Sequence, residues 1–126
     1  MKEVVHTDAA PEAVGAYSQA TTTGELVFTA GQIALTPAGD FPDDASVSAQ
    51  TTQALNNLLA VLSAAGAEPA DVLKTTVYLA DIDDFEEMNE TYAGYFEESP
   101  PARSAVAVNA LPKGAAVEIE AVAVVE

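Results

Sequence analysis

Arg103 is the sole arginine among four basic side chains, set against twenty acidic ones in a chain of 126 residues. It follows Pro100-Pro101-Ala102 and opens the β-like run Ser104-Ala105-Val106-Ala107-Val108. A guanidinium is permanently charged, and its planar fork matches a carboxylate through two parallel N–H···O bonds. One such group kept at a strand entrance points to a small-anion site, with a substrate carboxylate as the natural occupant. The alternative is a structural ion pair with one of the many acids. A second candidate lies in the stretch 116–125. One face there carries Val117, Ile119, Ala121, Ala123 and Val125, while the other begins with Glu118 and Glu120 and turns apolar at Val122 and Val124. A carboxylate on so apolar a strand sits either at a solvated edge or in a polar site. Gly31, directly after Leu26-Val27-Phe28-Thr29-Ala30, lets the backbone approach a neighbour or ligand closely.

Other chemistries drop out. His6 is the single histidine and lies near the N-terminus, which argues against a Ser-His-Asp triad. The chain has no cysteine, so disulfides and thiolate chemistry are excluded. The acidic clusters lack the spacing of a calcium loop, and no metal site is expected. Gly15 and Gly24 are isolated, so no phosphate-binding loop is expected either.

The elements that must position these groups follow from periodicity. Residues 17–20 and 26–30 read as early strands about a turn at Gly24. Leu55, Leu58, Leu59 and Leu62 recur at helical spacing within a helix from about Ala45 to Ala65, with Asp43 and Asp44 before it and Gly66 placed for a left-handed C-cap. Alternation from Asp71 to Leu79 predicts a strand. A second helix is expected from about Asp83 to Phe96, with Asp83 and Glu86 in capping-box spacing and Phe85, Met88, Tyr92 and Tyr95 as its apolar stripe. Ser99-Pro100-Pro101 ends that helix and delivers Arg103 into the next strand. The order β-β-α-β-α-β-β fits a single α+β domain over residues 1–126, two helices packed on one face of a mostly antiparallel sheet. Both faces of the last strand are largely apolar, so the face without helices calls for another subunit.

Composition narrows the partners. The net charge is −16, which repels nucleic acid and anionic membrane surfaces alike. No apolar run approaches the roughly 20 residues that span a bilayer, and no signal-peptide layout opens the chain, so a cytoplasmic location is expected. Acids are spread along a chain whose apolar periodicity persists. That pattern suggests a hydrated surface adapted to a salty cytoplasm, since the Debye length falls to about 3 Å at 1 M salt. The corresponding expectation is a melting temperature that climbs with added KCl; a midpoint indifferent to salt would contradict it.

A family resemblance completes the reading. Ala10-Pro11 with Val14-Gly15-Ala16-Tyr17-Ser18-Gln19-Ala20, then Ala30-Gly31-Gln32-Ile33, resemble the first two motifs of the RidA (YjgF) family. So do Asn57-Leu58-Leu59, Asp84-Phe85 through Asn89 and Tyr92, Pro101-Ala102-Arg103-Ser104, Leu111-Pro112 and Val117-Glu118-Ile119-Glu120-Ala121. The match is collinear over most of the chain. The resemblance implies a chorismate-mutase-like α+β fold, homotrimeric, with active sites in clefts between subunits. It implies a deaminase that hydrolyses 2-iminobutanoate and 2-iminopropanoate to 2-oxo acids and ammonia, without metal or organic cofactor. Its ligand would be a small imino acid or 2-oxo acid. Carried over by position, Arg103 grips the substrate carboxylate, Glu118 positions or activates water (Glu120 remaining the alternative), and Tyr17 lines the cleft. Gly31 supplies a backbone contact and Asn89 a polar group. Two departures stand out: Ala16 replaces the usual proline before Tyr17, and Ala105 occupies a substrate-side position where many members have cysteine. A trimer that binds small carboxylates without catalysis is the alternative function. RNA cleavage, ascribed to some relatives, is disfavoured by the charge.

Overall fold

The computed structural model describes residues 1–125. Its strands are β1 (Glu3–Val5), β2 (Ala20–Thr22), β3 (Leu26–Thr29), β4 (Val72–Leu79), β5 (Ala102–Ala107) and β6 (Val117–Val124). The helices are α1 (Val47–Ala64) and α2 (Phe85–Ala93). The six strands form one sheet in the order β1-β2-β3-β6-β4-β5. All pairs are antiparallel except β4 and β5, which the α2 crossover joins in parallel.

The last strand, β6, runs beside both β3 and β4, and its alternation decides where the core sits. Val117, Ile119, Ala121 and Ala123 are buried toward α1, whose Leu55, Leu58 and Leu62 are also fully covered. Register carries this face along the sheet, pairing Ala121 with Thr75, Ile119 with Val77 and Val117 with Leu79. The opposite face holds Glu118, Glu120, Val122 and Val124, with Phe28 beside Val122 and Val106 beside Tyr78. Phe28 and Val106 are 48% and 44% exposed, so the helix-free face carries apolar side chains that a single chain leaves uncovered.

Helix α1 begins where Ser46 Oγ accepts the Ala49 N–H at 3.0 Å. Asp43 and Asp44 lie outside its first turn; the negative charge there comes instead from α2, whose Glu87 Oε2 accepts the Ser48 N–H at 3.0 Å. At the other end Gly66 has φ +91°, Ala67 N–H donates to Leu62 O, and Gly66 N–H donates to Ser63 O. This is the Schellman arrangement that the glycine predicts.

Several expectations shift. The first strand, β1, has no counterpart in the sequence reading, and β2 starts only at Ala20. Gly15 at φ +115° turns the chain, leaving Tyr17 in a loop rather than a strand. The capping box at Asp83 and Glu86 does not form. Asp81 Oδ1 takes the Asp83 N–H instead, a short 3₁₀ turn covers Ile82–Asp84, and α2 starts at Phe85 and ends at Ala93, before Gly94. The fifth strand begins at Ala102, two residues ahead of the run from Ser104, and takes in Arg103 as the break at Ser99-Pro100-Pro101 predicts.

Candidate active site

On the helix side of the sheet, Arg103 pairs in register with Thr75 and points toward α2. Spacings of four and three bring Phe85, Asn89 and Tyr92 onto the α2 stripe that meets it. Arg103 Nη1 donates to Asn89 Oδ1 at 2.7 Å. The guanidinium carbon lies 4.8 Å from the Tyr92 ring centroid and 5.3 Å from that of Phe85. Tyr92 and Thr75 share a hydroxyl–hydroxyl hydrogen bond of 2.6 Å. Burial pushes the Tyr92 phenol up, against the opposing effects of the Thr75 hydrogen bond and the Arg103 charge. Among the described residues the one basic–acidic contact within 4 Å is His6 Nε2 to Asp8 Oδ1 at 3.8 Å, so Arg103 is not spent on a carboxylate. It faces a cavity of about 330 Å³ lined also by Asn89, Tyr92, Phe96, Pro100 and Pro101.

A second cavity, about 540 Å³, is lined by Tyr17, Gly31 and Glu118 together with Val14, Ile33, Leu35 and Lys113. Its walls are loops clamped by buried amides. Gln19 Nε2 donates to the carbonyls of Thr7 and Pro11, and Gln19 Oε1 accepts the Thr7 N–H, which fixes the segment leading to Tyr17. Asn57, on α1, donates through Nδ2 to the carbonyls of Ile33 and Leu35 at 3.0 and 2.7 Å. Glu118 lies directly over Gly31, where an added Cβ would meet its Oε2 at 2.5 Å. The Glu118 carboxyl is raised above its ordinary value, first by burial and then by the charge of Glu120. A half-buried carboxylate shifted this way is poised to take up a proton.

The two cavities do not meet within one chain. Arg103 shares a rung with Thr75, which faces the helices, whereas Glu118 shares one with Tyr78 on the opposite face. A model of the family described as endoribonuclease L-PSP matches residues 7–125. The chain belongs to this family, the RidA or YjgF family that its motifs resemble. A RutC family protein of Pyrococcus horikoshii is 50% identical over 123 residues, covering 98% of each chain. A 2-iminobutanoate/2-iminopropanoate deaminase of Rattus norvegicus is 46% identical over 124 residues, covering 98% of this chain and 90% of its own. Among solved structures, that of TdcF from E. coli with bound serine superposes with a TM-score of 0.93 at 40% identity, covering 98% of this chain and 99% of its own.

Against this family's pattern, five of the six residues singled out in the sequence fall into two groups. Tyr17, Gly31 and Glu118 share the larger cavity, and Arg103 and Asn89 share the smaller. Ala105 lies two residues beyond Arg103 on the same strand face, beside Val77, where it packs on the core and lines neither cavity. Tyr17 is 55% exposed, and its hydroxyl accepts the Val14 N–H at 3.3 Å. Three contributors escaped the sequence reading. Lys113 lines the Glu118 cavity at φ +61°, a conformation uncommon outside glycine, and its scarcity as one of four basic groups was the available signal. Phe85 and Tyr92 were legible only as core.

Proposed function

We propose that this L-PSP family member hydrolyses reactive 2-imino acids, 2-iminobutanoate and 2-iminopropanoate among them, to 2-oxo acids and ammonia. The reading is carried by Arg103: a fixed guanidinium with a cavity beside it and no carboxylate partner among the described residues. The deaminase relative at 46% identity supports it. Because Arg103 and Glu118 occupy opposite sheet faces, the working site is completed by a second copy of the chain, in a homotrimer whose subunits cover the apolar face.

In this mechanism Arg103 binds the substrate carboxylate through its remaining N–H groups and fixes C2 of the imine in position. With the imine nitrogen protonated, Glu118 takes a proton from water as the oxygen bonds to C2 and the C=N π pair moves onto nitrogen, giving a neutral carbinolamine. The same carboxyl then delivers that proton to nitrogen. The C–N bond breaks as the hydroxyl gives its proton back to the Glu118 carboxylate and the carbonyl forms; the departing ammonia takes that proton and leaves as ammonium with the 2-oxo acid. Tyr17 orients water or substrate at the cavity mouth.

Arg103→Ala should lose accelerated imine hydrolysis, measured with threonine and a pyridoxal-phosphate dehydratase as the imine source, while keeping its fold and oligomeric state. Undiminished acceleration in that variant sinks the carboxylate-clamp reading. The serine seen in the TdcF relative favours one alternative, a trimer that binds small carboxylates without catalysis. Calorimetric binding of 2-oxobutanoate with no acceleration of imine hydrolysis would select it.

A further inference from the structure

We infer that Phe85 and Tyr92 are positioning residues for Arg103, forming an aromatic bracket that orients the guanidinium while leaving its charge and most of its donors for the ligand. This rests on the proposed role of Arg103 in binding a carboxylate. A guanidinium in an open cleft must be held against its own rotamer freedom. The usual device is a carboxylate, and a chain with twenty acids has ample supply. A carboxylate would occupy two of the five N–H groups and neutralise the charge that an anionic substrate needs.

The second helix avoids that outcome by its phase. Its stripe toward Arg103 carries Phe85, Asn89 and Tyr92, while Glu86, Glu87 and Glu90 are exposed on its other faces. Asn89 accepts a single N–H, and the two rings hold the cation through their π faces, which consume no donor. The bracket is itself anchored. Tyr92 is 4% exposed, its ring lies 4.9 Å from that of Phe96, and its hydroxyl is tied to Thr75, the register partner of Arg103. The Tyr92 ring and the guanidinium are thus referenced to the same rung of the sheet.

The sole arginine makes the test direct, because 15N-arginine labelling gives one guanidinium Nε resonance in the assembled protein. In wild type that resonance should be displaced by ring currents and should move on titration with 2-oxobutanoate. Phe85→Leu and Tyr92→Leu should each reduce the displacement, raise KM for the imine about tenfold and weaken 2-oxobutanoate binding similarly, with kcat changed far less. Phe85→Tyr restores a ring and should return KM to within about twofold of wild type. Should Tyr92→Leu fail to fold, the half-buried Phe85 carries the test alone. Phe85→Leu with wild-type KM, binding and Nε shift overturns the bracket. Failure of the deaminase reading looks different: Arg103→Ala turns over the imine as wild type does, while the ring-current displacement at Arg103 persists in the unmodified chain.

Discussion

At Gly31 a methyl group would force the Glu118 side chain out of its place, because that carboxylate lies across the Gly31 Cα. The constraint is one of space, since a Cβ would meet Glu118 at Oε2, Cδ and Cγ, all under 3 Å. A glycine that reads in the sequence as a place of close approach is thus the seat of the proposed base. Its proximity keeps Glu118 half-buried, and burial together with Glu120 raises the carboxyl above its ordinary value. A carboxyl raised on folding favours the folded state fully only below its unfolded pKa, and that contribution is lost as pH rises through the folded one. Within the single chain, ionised Glu118 is therefore a destabilising group at neutral pH, placed where the proposed proton transfer needs it. Glu118→Gln should lower kcat about 100-fold or more. The same variant should melt above wild type at pH 8, with the gap closing as pH falls toward the ordinary glutamate range. Parallel melting curves at pH 8 and pH 4.5 check this, and a variant that melts below wild type at pH 8 would show that the carboxylate is stabilised by its surroundings.

The elements around the site are held by amides whose role periodicity does not express. Asn57 sits among leucines on α1, is 1% exposed, and spends its side chain on the carbonyls of Ile33 and Leu35 and on Gln53 Nε2. Asn57→Ala leaves two loop carbonyls without donors and should cost about 2–3 kcal/mol, read from urea unfolding at fixed protein concentration. Activity should fall with it, because Ile33 and Leu35 line the Glu118 cavity; a loss under 0.5 kcal/mol, roughly half the usual net value of one hydrogen bond, would mean that water replaces the amide. The same contrast explains what the sequence made legible. Both helices, β4 and β6 were readable because their apolar spacing is local. Arg103 and Glu118 were readable because scarcity and an odd charge on an apolar strand mark them. By contrast β1 was not, since three residues acquire strand geometry only by pairing with Thr22, Thr21 and Ala20. Tyr17 was misplaced into a strand because its loop is fixed by Gln19, twelve residues from its Thr7 partner. Nor does a stripe of Phe85 and Tyr92 at helical spacing say that a cation will lie against it. That depends on the register of β5 with β4, a non-local fact.

On the scale of the whole molecule, the decisive geometry is that the sheet separates the two chemical groups. Arg103 lies on the side of the helices, and Glu118 lies on the bare face with Phe28, Val106, Val122 and Val124. No rotamer change carries either side chain through a hydrogen-bonded sheet, so one substrate can touch both only if they come from different copies. Cyclic assembly supplies this naturally, since each interface then joins the Arg103 side of one subunit to the Glu118 side of the next. Subunit mixing tests the arrangement. In the proposed homotrimer, Arg103→Ala and Glu118→Gln assemblies are each expected to be inactive. Dissociated together at equal concentrations and reassembled, they should regain about a quarter of wild-type activity, because one interface in four joins an intact Arg103 to an intact Glu118 when cyclic assembly is random. The double variant Arg103→Ala/Glu118→Gln, mixed with wild type, supplies the calibration: each interface is intact only when both neighbours are wild type, so the same fraction survives. If the mixture of single variants stays inactive while the calibration mixture retains about half, the fraction of wild-type chains, both groups act from one chain, and the intersubunit site is wrong.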